Sequence, residues 1–374
     1  MLTRALQKLI EGRLDLQKVS LLIGARRVGK TELLKTIRDK MGNTVLWLNG
    51  EDADVQAILD NRTIANYKRL LAGYSLLIID EAQYIPDIGR KAKLMIDEIK
   101  PLHIILTGSS AFDIVQTGEP LVGRTISYQL YPIAQMELQQ VEDLLQTRQH
   151  LEERLIYGSY PELLGLYSPA EKQVYLKELI NTYLLKDILA FENIRQSQKF
   201  RDLLVLLAYQ IGGEVSQDEL GKQLGISKNT VARYLDLLSK VYVIYPRGGF
   251  SRNLRKEVVK SQRWYFNDNG IRNAMINQFS PLALRQDTGQ LWENYFISER
   301  QKRNAYHEEQ VNSYYWRTYD QQEIDLIEEK NGELTALECK WKESKVKVPV
   351  AFVNAYPDAN FTVVHQGNYE EWVV

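Results

Sequence analysis

A single cysteine, Cys339, stands in 374 residues, so neither an intrachain disulfide nor a multi-cysteine zinc site can be built, which suits a reducing compartment. Long apolar runs are missing too. No stretch approaches the roughly 20 residues that span a bilayer, and the opening MLTRALQKLIEGRLDL alternates charges with leucines instead of forming a signal-peptide core. The expected location is the cytoplasm, with no membrane partner. The third absence is an excess of one charge: 47 Lys and Arg face 48 Asp and Glu, a formal net charge of −1. This excludes a uniformly basic coat and confines any nucleic-acid contact to local patches.

The length suits two or three domains, each with its own core. VSLLIG, TVLWLNG, LLIID, HIILTGSS and ISYQL are short apolar, β-rich runs separated by helix-length segments, a pattern that predicts a parallel α/β sheet. Further on the pattern turns helical, and a last unit opens near Leu282 with GQLWENYFISERQKR and the strand-like VNSYYWRTY, EIDLIEE and ELTALECKW.

Gly24-Ala25-Arg26-Arg27-Val28-Gly29-Lys30-Thr31 fits G-x-x-x-x-G-K-[ST] between a strand and a helix, the context in which that motif has meaning. Its glycines, Gly24 and Gly29, let backbone N–H groups wrap a phosphate; Lys30 reaches the β- and γ-phosphates of ATP, and the Thr31 hydroxyl ligates Mg²⁺. LLIIDEAQ ends an apolar strand in Asp80-Glu81, which places one carboxylate on the metal and a second, the candidate general base, beside the attacking water. HIILTGSS brings Thr107, Ser109 or Ser110 to the same sheet edge as a polar sensor of the γ-phosphate. Arg124, in LVGR, is either a guanidinium for transition-state charge on a neighbouring subunit of a homo-oligomer or an ion-paired surface arginine.

Ser216-Gln217-Asp218-Glu219 has capping-box chemistry, Gly225-Ile226 makes a turn, and Ser227-Lys228-Asn229-Thr230 starts a second helix. This reads as helix-turn-helix. In a DNA reader Lys228, Asn229 and Arg233 lie near the start of the recognition helix, and VYVIYPRGGFS is the expected hairpin wing. Arg247, Arg252, Arg255, Lys256, Lys260 and Arg263, with Phe250 and Trp264 nearby, form a candidate phosphate-binding stripe; winged helices also dock proteins, and both partners stay open.

If Asn331-Gly332 makes a two-residue hairpin, residues whose numbers sum to 663 face each other. Asp325 then sits opposite Glu338, and Glu323 opposite Lys340. Asp325, Glu338 and Lys340 match the D…E-x-K arrangement of metal-dependent nucleases, two acids for Mg²⁺ and a lysine for water, with Glu293 a further candidate ligand.

GARRVGKT, LLIIDEAQ, ILTGSS, LVGR, YGSYPELL, NTYLLKDI, TVARYLDLL, YFNDNGIRNAM, LWENYF, EIDLI and ECKW together resemble, over nearly the whole length, a family of bacterial and archaeal AAA-type ATPases. In that family a P-loop module is followed by a winged helix and a restriction-endonuclease-like domain. The resemblance implies ATP binding at Gly29, Lys30 and Thr31, Mg²⁺ and hydrolysis at Asp80 and Glu81, and a nuclease-like fold at the end. The expected fold class is α/β. Residues 1–134 form the ATPase domain, 135–198 a helical lid, 199–280 the winged helix and 281–374 the nuclease-like domain. The expected function is ATP hydrolysis coupled to DNA binding or remodelling, with metal-dependent cleavage open. The alternative is a signalling switch whose later domains bind proteins.

Overall fold

The computed structural model describes residues 2–108, 121, 123–184, 197–251, 262–318 and 320–374. Their strands build three sheets, and the chain forms two compact units: Met1–Pro132 with Lys240–Tyr242, and Ile133–Ser239 with Val243–Val374. The fold is mixed α/β.

In the first unit β1 (Val19–Ile23), β2 (Val45–Asn49), β3 (Leu76–Asp80), β4 (His103–Gly108) and β5 (Thr125–Gln129) form a parallel sheet in the order β2-β3-β4-β1-β5. These are the five apolar runs of the sequence. β3 and β4 are buried at every position, as expected of central strands covered on both faces. Leu77, Ile79, Ile104 and Leu106 share one core with Ile88, Ala92, Met95 and Ile96 of the helix Ile88–Glu98. The carboxyl ends of β1, β3 and β4 lie side by side, since Ile23 pairs with Gly108 and Ile79 with Leu106. That edge is where open α/β sheets bind ligands.

The second unit begins with helices. Leu144–Tyr157 is capped by Asp143 and Pro169–Glu178 by Ser168, each side chain accepting the bond of an otherwise orphaned N–H. Gln217–Leu224, capped by Ser216, is joined to Lys228–Lys240 through Gly225 at φ 66°. A three-stranded antiparallel sheet, β6 (Glu214–Val215), β8 (Gln262–Phe266) and β7 (Ile244–Arg247), adjoins them. This corrects the expected wing: β7 pairs with residues 262–266, Arg247 opposite Arg263, and no hairpin closes within VYVIYPRGGFS.

The last sheet has the order β12-β11-β10-β9, with β9 (Asn312–Arg317), β10 (Glu323–Lys330), β11 (Glu333–Cys339) and β12 (Asn360–Val364). Asn331 and Gly332 carry φ of 53° and 86°, the two positive values a tight hairpin needs. Leu326 faces Leu337 and Ile327 faces Ala336, the register expected from the turn. The helix Thr288–Tyr306 inserts Trp292, Tyr295 and Phe296 into the core beneath this sheet, where the Trp292 ring meets Trp341 and Tyr369 edge-on. Among the described residues no helix is long and apolar enough to cross a membrane.

Candidate active site

The loop after β1 is shaped by two glycines. A Cβ on Gly24 would lie 2.2 Å from the Leu130 carbonyl oxygen, and Gly29 sits at φ 97°, so neither position admits a side chain without strain. Gly29 is the N-cap of the helix Lys30–Met41 and has no side chain to satisfy its first N–H groups, leaving them for an anion. Lys30 is buried, and its ammonium donates to the Gly24 and Ala25 carbonyls at 2.8 and 3.0 Å. Burial pushes this lysine down to about 8, against the opposing pull of Glu81 and Asp80.

Thr31 Oγ1 donates to Asp80 Oδ2 at 2.8 Å, and Thr107 Oγ1 donates to the other oxygen, Oδ1. Thr107 Oγ1 also accepts the Glu81 N–H at 3.0 Å. One threonine at the end of β4 thus fixes both acidic residues at the end of β3. Glu81 sits at φ 51°, and Gln83 Nε2 donates to its Oε2. The hydroxyl of Thr31 and the carboxylate of Asp80 are adjacent hard oxygen donors and fit Mg²⁺, which would supply charge neutralisation for a phosphoryl group.

The sequence showed Gly24, Gly29, Lys30, Thr31, Asp80 and Glu81, and the structure brings them together. It did not single out Gln83 or Arg4. Arg4, buried in the first turn of the chain, donates to the carbonyls of Val28 in the loop and Tyr131 beyond β5, at 2.6 and 2.7 Å; no spacing rule links such distant positions. Arg124 lies just before β5, and its Nε donates to Asp97 at 2.7 Å, with both side chains partly exposed. Ser109 and Ser110 lie outside the described residues.

On the helix Lys228–Lys240, Lys228, Asn229 and Arg233 are all exposed. Lys228 meets Asp218 at 3.0 Å across the turn, and Arg233 lies over the Tyr234 ring. The basic stripe requires correction. Arg252, Arg255, Lys256 and Lys260 lie outside the described residues, whereas Arg247, Arg263, Phe250 and Trp264 are buried. Apolar burial of the rings and ion pairing of Arg263 won over solvent exposure.

The C-terminal candidates do meet. Asp325 Oδ2 accepts the Cys339 N–H at 2.8 Å, Lys340 meets Glu338 at 2.6 Å, and Tyr265 donates to Glu293 at 2.7 Å. Glu323 does not pair with Lys340 as expected but with Arg263 at 2.7 Å, because the β9–β10 ladder shifts register between Ile324 and Ile327 and turns the strand end. Burial, then the charge of Asp325, pushes Glu293 up; burial, then Glu338, pushes Asp325 up. Among the described residues no three His, Cys, Asp or Glu side chains are arranged to hold a metal ion.

Sheet order, the glycine loop and the contacts of Thr31 and Thr107 with Asp80 give the first unit the arrangement of a P-loop nucleotide-binding domain. An AAA domain family matches residues 16–139, and two families described as Domain of unknown function (DUF8612) and Domain of unknown function (DUF4143) match residues 148–282 and 288–373. The chain is 25% identical over 359 residues to an uncharacterized protein of Mycobacterium bovis and equally to one of Mycobacterium tuberculosis, covering 94% of this chain and 77% of each relative. It is 22% identical over 308 residues to an uncharacterized protein of Haemophilus influenzae, covering 73% of this chain and 72% of that one. Among solved structures, a variant of Thermotoga maritima RuvB is similar at 17% identity and a TM-score of 0.33, covering 69% of this chain and 93% of that one.

Proposed function

We propose that the chain is a cytoplasmic, Mg²⁺-dependent ATP hydrolase that couples nucleotide state to DNA binding or remodelling. The nucleotide half rests on the relay of Thr31, Asp80 and Thr107 beside the Lys30 loop. Lys30 and the uncapped helix start would hold the β- and γ-phosphates, and Thr31 and Asp80 would hold the metal. Glu81, oriented by Thr107 and Gln83, takes a proton from water as its oxygen bonds to the γ-phosphorus; the bond from that phosphorus to the ADP oxygen breaks, and ADP leaves with the electron pair.

The DNA half is carried by one observation: Lys228, Asn229 and Arg233 stand exposed along the first turns of the second helix of a helix-turn-helix pair. An exposed pair such as Lys228–Asp218 is worth at most about 1 kcal/mol and exchanges easily for a phosphate. The lid at 135–198, the winged helix at 199–280 and the last domain at 281–374 are the divisions this reading uses. Arg124 reaching a neighbouring copy's nucleotide is the part that needs a homo-oligomer.

The protein-docking switch keeps a place because Val141, Leu144, Leu145 and Leu164 are exposed in the helical region and because the described basic residues of the stripe, Arg247 and Arg263, are buried. Steady-state ATPase rates with and without duplex DNA separate the two. DNA should raise the rate, and Lys228→Ala with Arg233→Ala should abolish the increase and flatten the salt dependence of binding by about two counterions. Rates indifferent to DNA, with unchanged retention in the double variant, would leave the protein-directed switch.

A further inference from the structure

The D…E-x-K arrangement invites a divalent cation between Asp325 and Glu338, with Glu293 as a third ligand. The structure already has a positive group there. Arg263, on β8 and only 6% exposed in its side chain, lies 3.7 Å from Glu293, 2.7 Å from Glu323 and 3.8 Å from Asp325. Its guanidinium also covers the Tyr315 ring at 4.7 Å. Burial disfavours the charge, but Tyr265, Glu293, Glu323 and Asp325 outweigh it and hold the arginine above its ordinary range. On the far side Lys340 takes Glu338. Two cations therefore face four carboxylates, of which Glu293 and Asp325 are both shifted toward the protonated form, each by burial first and then by a neighbouring carboxylate, Asp325 for Glu293 and Glu338 for Asp325.

A bound Mg²⁺ or Mn²⁺ needs several oxygen ligands converging at close range, with water completing the shell. Here Asp325 spends one oxygen on the Cys339 N–H, Glu293 spends one on Tyr265, and Glu323 turns to Arg263. Glu338 Oε2 is buried without a hydrogen-bond partner, but Asp325 Oδ1 faces the Arg263 guanidinium at 3.8 Å, and among the described residues no three acidic side chains are arranged to hold a metal ion. The residues present do not fit the metal.

We propose that Arg263 takes the place of the divalent cation, so that the C-terminal carboxylates form an arginine-closed seam that binds no metal and cleaves no phosphodiester bond. The seam has a structural use. Arg263 belongs to the sheet of β6, β8 and β7, while Glu323 and Asp325 belong to β10; Arg317 to Glu214 at 3.0 Å and the Phe250 N–H on the Tyr315 carbonyl repeat the same connection. Arginine suits this task because its planar fork meets several carboxylates at once without ever losing its charge.

The test is Mn²⁺ binding followed by electron paramagnetic resonance on the full chain without nucleotide. A Thr31→Ala, Asp80→Asn background removes any contribution from the nucleotide loop. The parent should leave Mn²⁺ free even at millimolar concentration, and end-labelled duplex and single-stranded DNA incubated with it should remain intact. Arg263→Gln should gain a Mn²⁺ site at least about tenfold tighter than the parent, lost again on adding Glu338→Gln. Stoichiometric Mn²⁺ in the parent, abolished by Glu338→Gln, would overturn the proposal, as would a folded Arg263→Gln protein that binds no more than the parent. If Arg263→Gln fails to fold by circular dichroism, the parent titration and the DNA assay decide by themselves.

Discussion

Lys30 shows how much of the nucleotide site is a balance of burial against charge. Its ammonium is held by two backbone carbonyls and sits down at about 8 because it has left water. A lysine whose folded value is depressed favours the neutral form, so the nucleotide-free protein gains stability as pH rises from about 8 toward the unfolded value near about 10.4. Nucleotide needs the opposite form, since a phosphate restores the charge. Binding of a fluorescent ATP analogue should therefore weaken as pH rises through about 8, with proton uptake visible as a buffer-dependent enthalpy in calorimetry; affinity flat across that range would refute the assignment. Thr107 makes a second residue-level case. It holds Asp80 and Glu81 together, donating to the Asp80 carboxylate and accepting the Glu81 N–H. Thr107→Val should lower kcat by about 10- to 100-fold with little change in KM for ATP, and Thr107→Ser should restore it. HIILTGSS offered Thr107, Ser109 and Ser110 in the sequence; the parallel pairing of β4 with β3 brings the Thr107 hydroxyl to the Asp80–Glu81 step.

At the scale of elements, the long helix Thr288–Tyr306 is held at its start by charge. Its N-cap residue Asp287 receives Arg272 at 2.5 Å and Arg285 at 2.8 Å, and both arginines are buried. Burial would raise this carboxyl, but the hydrogen bonds and charges of Arg285 and Arg272 bring it down to about 2. A depressed carboxylate contributes stability above its unfolded value, near about 3.9, that is lost as pH falls through about 2. Asp287→Asn should cost about 3–5 kcal/mol at neutral pH, by leaving two buried guanidinium groups without a counter-ion, and should remove that part of the acid dependence. Denaturant melts at neutral and acid pH would check both, and an unchanged neutral midpoint would count against the clamp. Local chemistry was legible at this scale wherever it was encoded by adjacent residues: Asn331-Gly332 for the hairpin register, Ser216 and Gly225 for two short helices. The wing was not legible, since β7 takes its partner from residues 262–266, beyond a stretch that no turn rule spans.

For the whole molecule, two compact units are distinguished, and the glycine loop that ends in Lys30 and Thr31 belongs to the first. Ligand that binds only the native state of one unit stabilises that unit alone, by about 2.7 kcal/mol at a hundredfold excess over Kd. Differential scanning calorimetry with a non-hydrolysable ATP analogue and Mg²⁺ should raise the transition of the first unit and leave that of the second in place. Lys30→Ala should erase the shift. A uniform shift of a single transition would mean that the two units unfold together.

What the sequence determined by itself is the chemistry that lies along short segments: a phosphate loop between strand and helix, an acidic pair at a strand end, a hairpin with its register. These depend on backbone periodicity and on residues a few positions apart, so order along the chain is enough. The tertiary structure decided which charges face one another. Arg263 had every appearance of a surface cation in a basic run, and folding carried it among Glu293, Glu323 and Asp325, residues 30 or more positions away. Arg4 came to the phosphate loop by the same route. A buried charge must find its counter-charge wherever the packing of strands and helices puts one, and that choice is made in three dimensions.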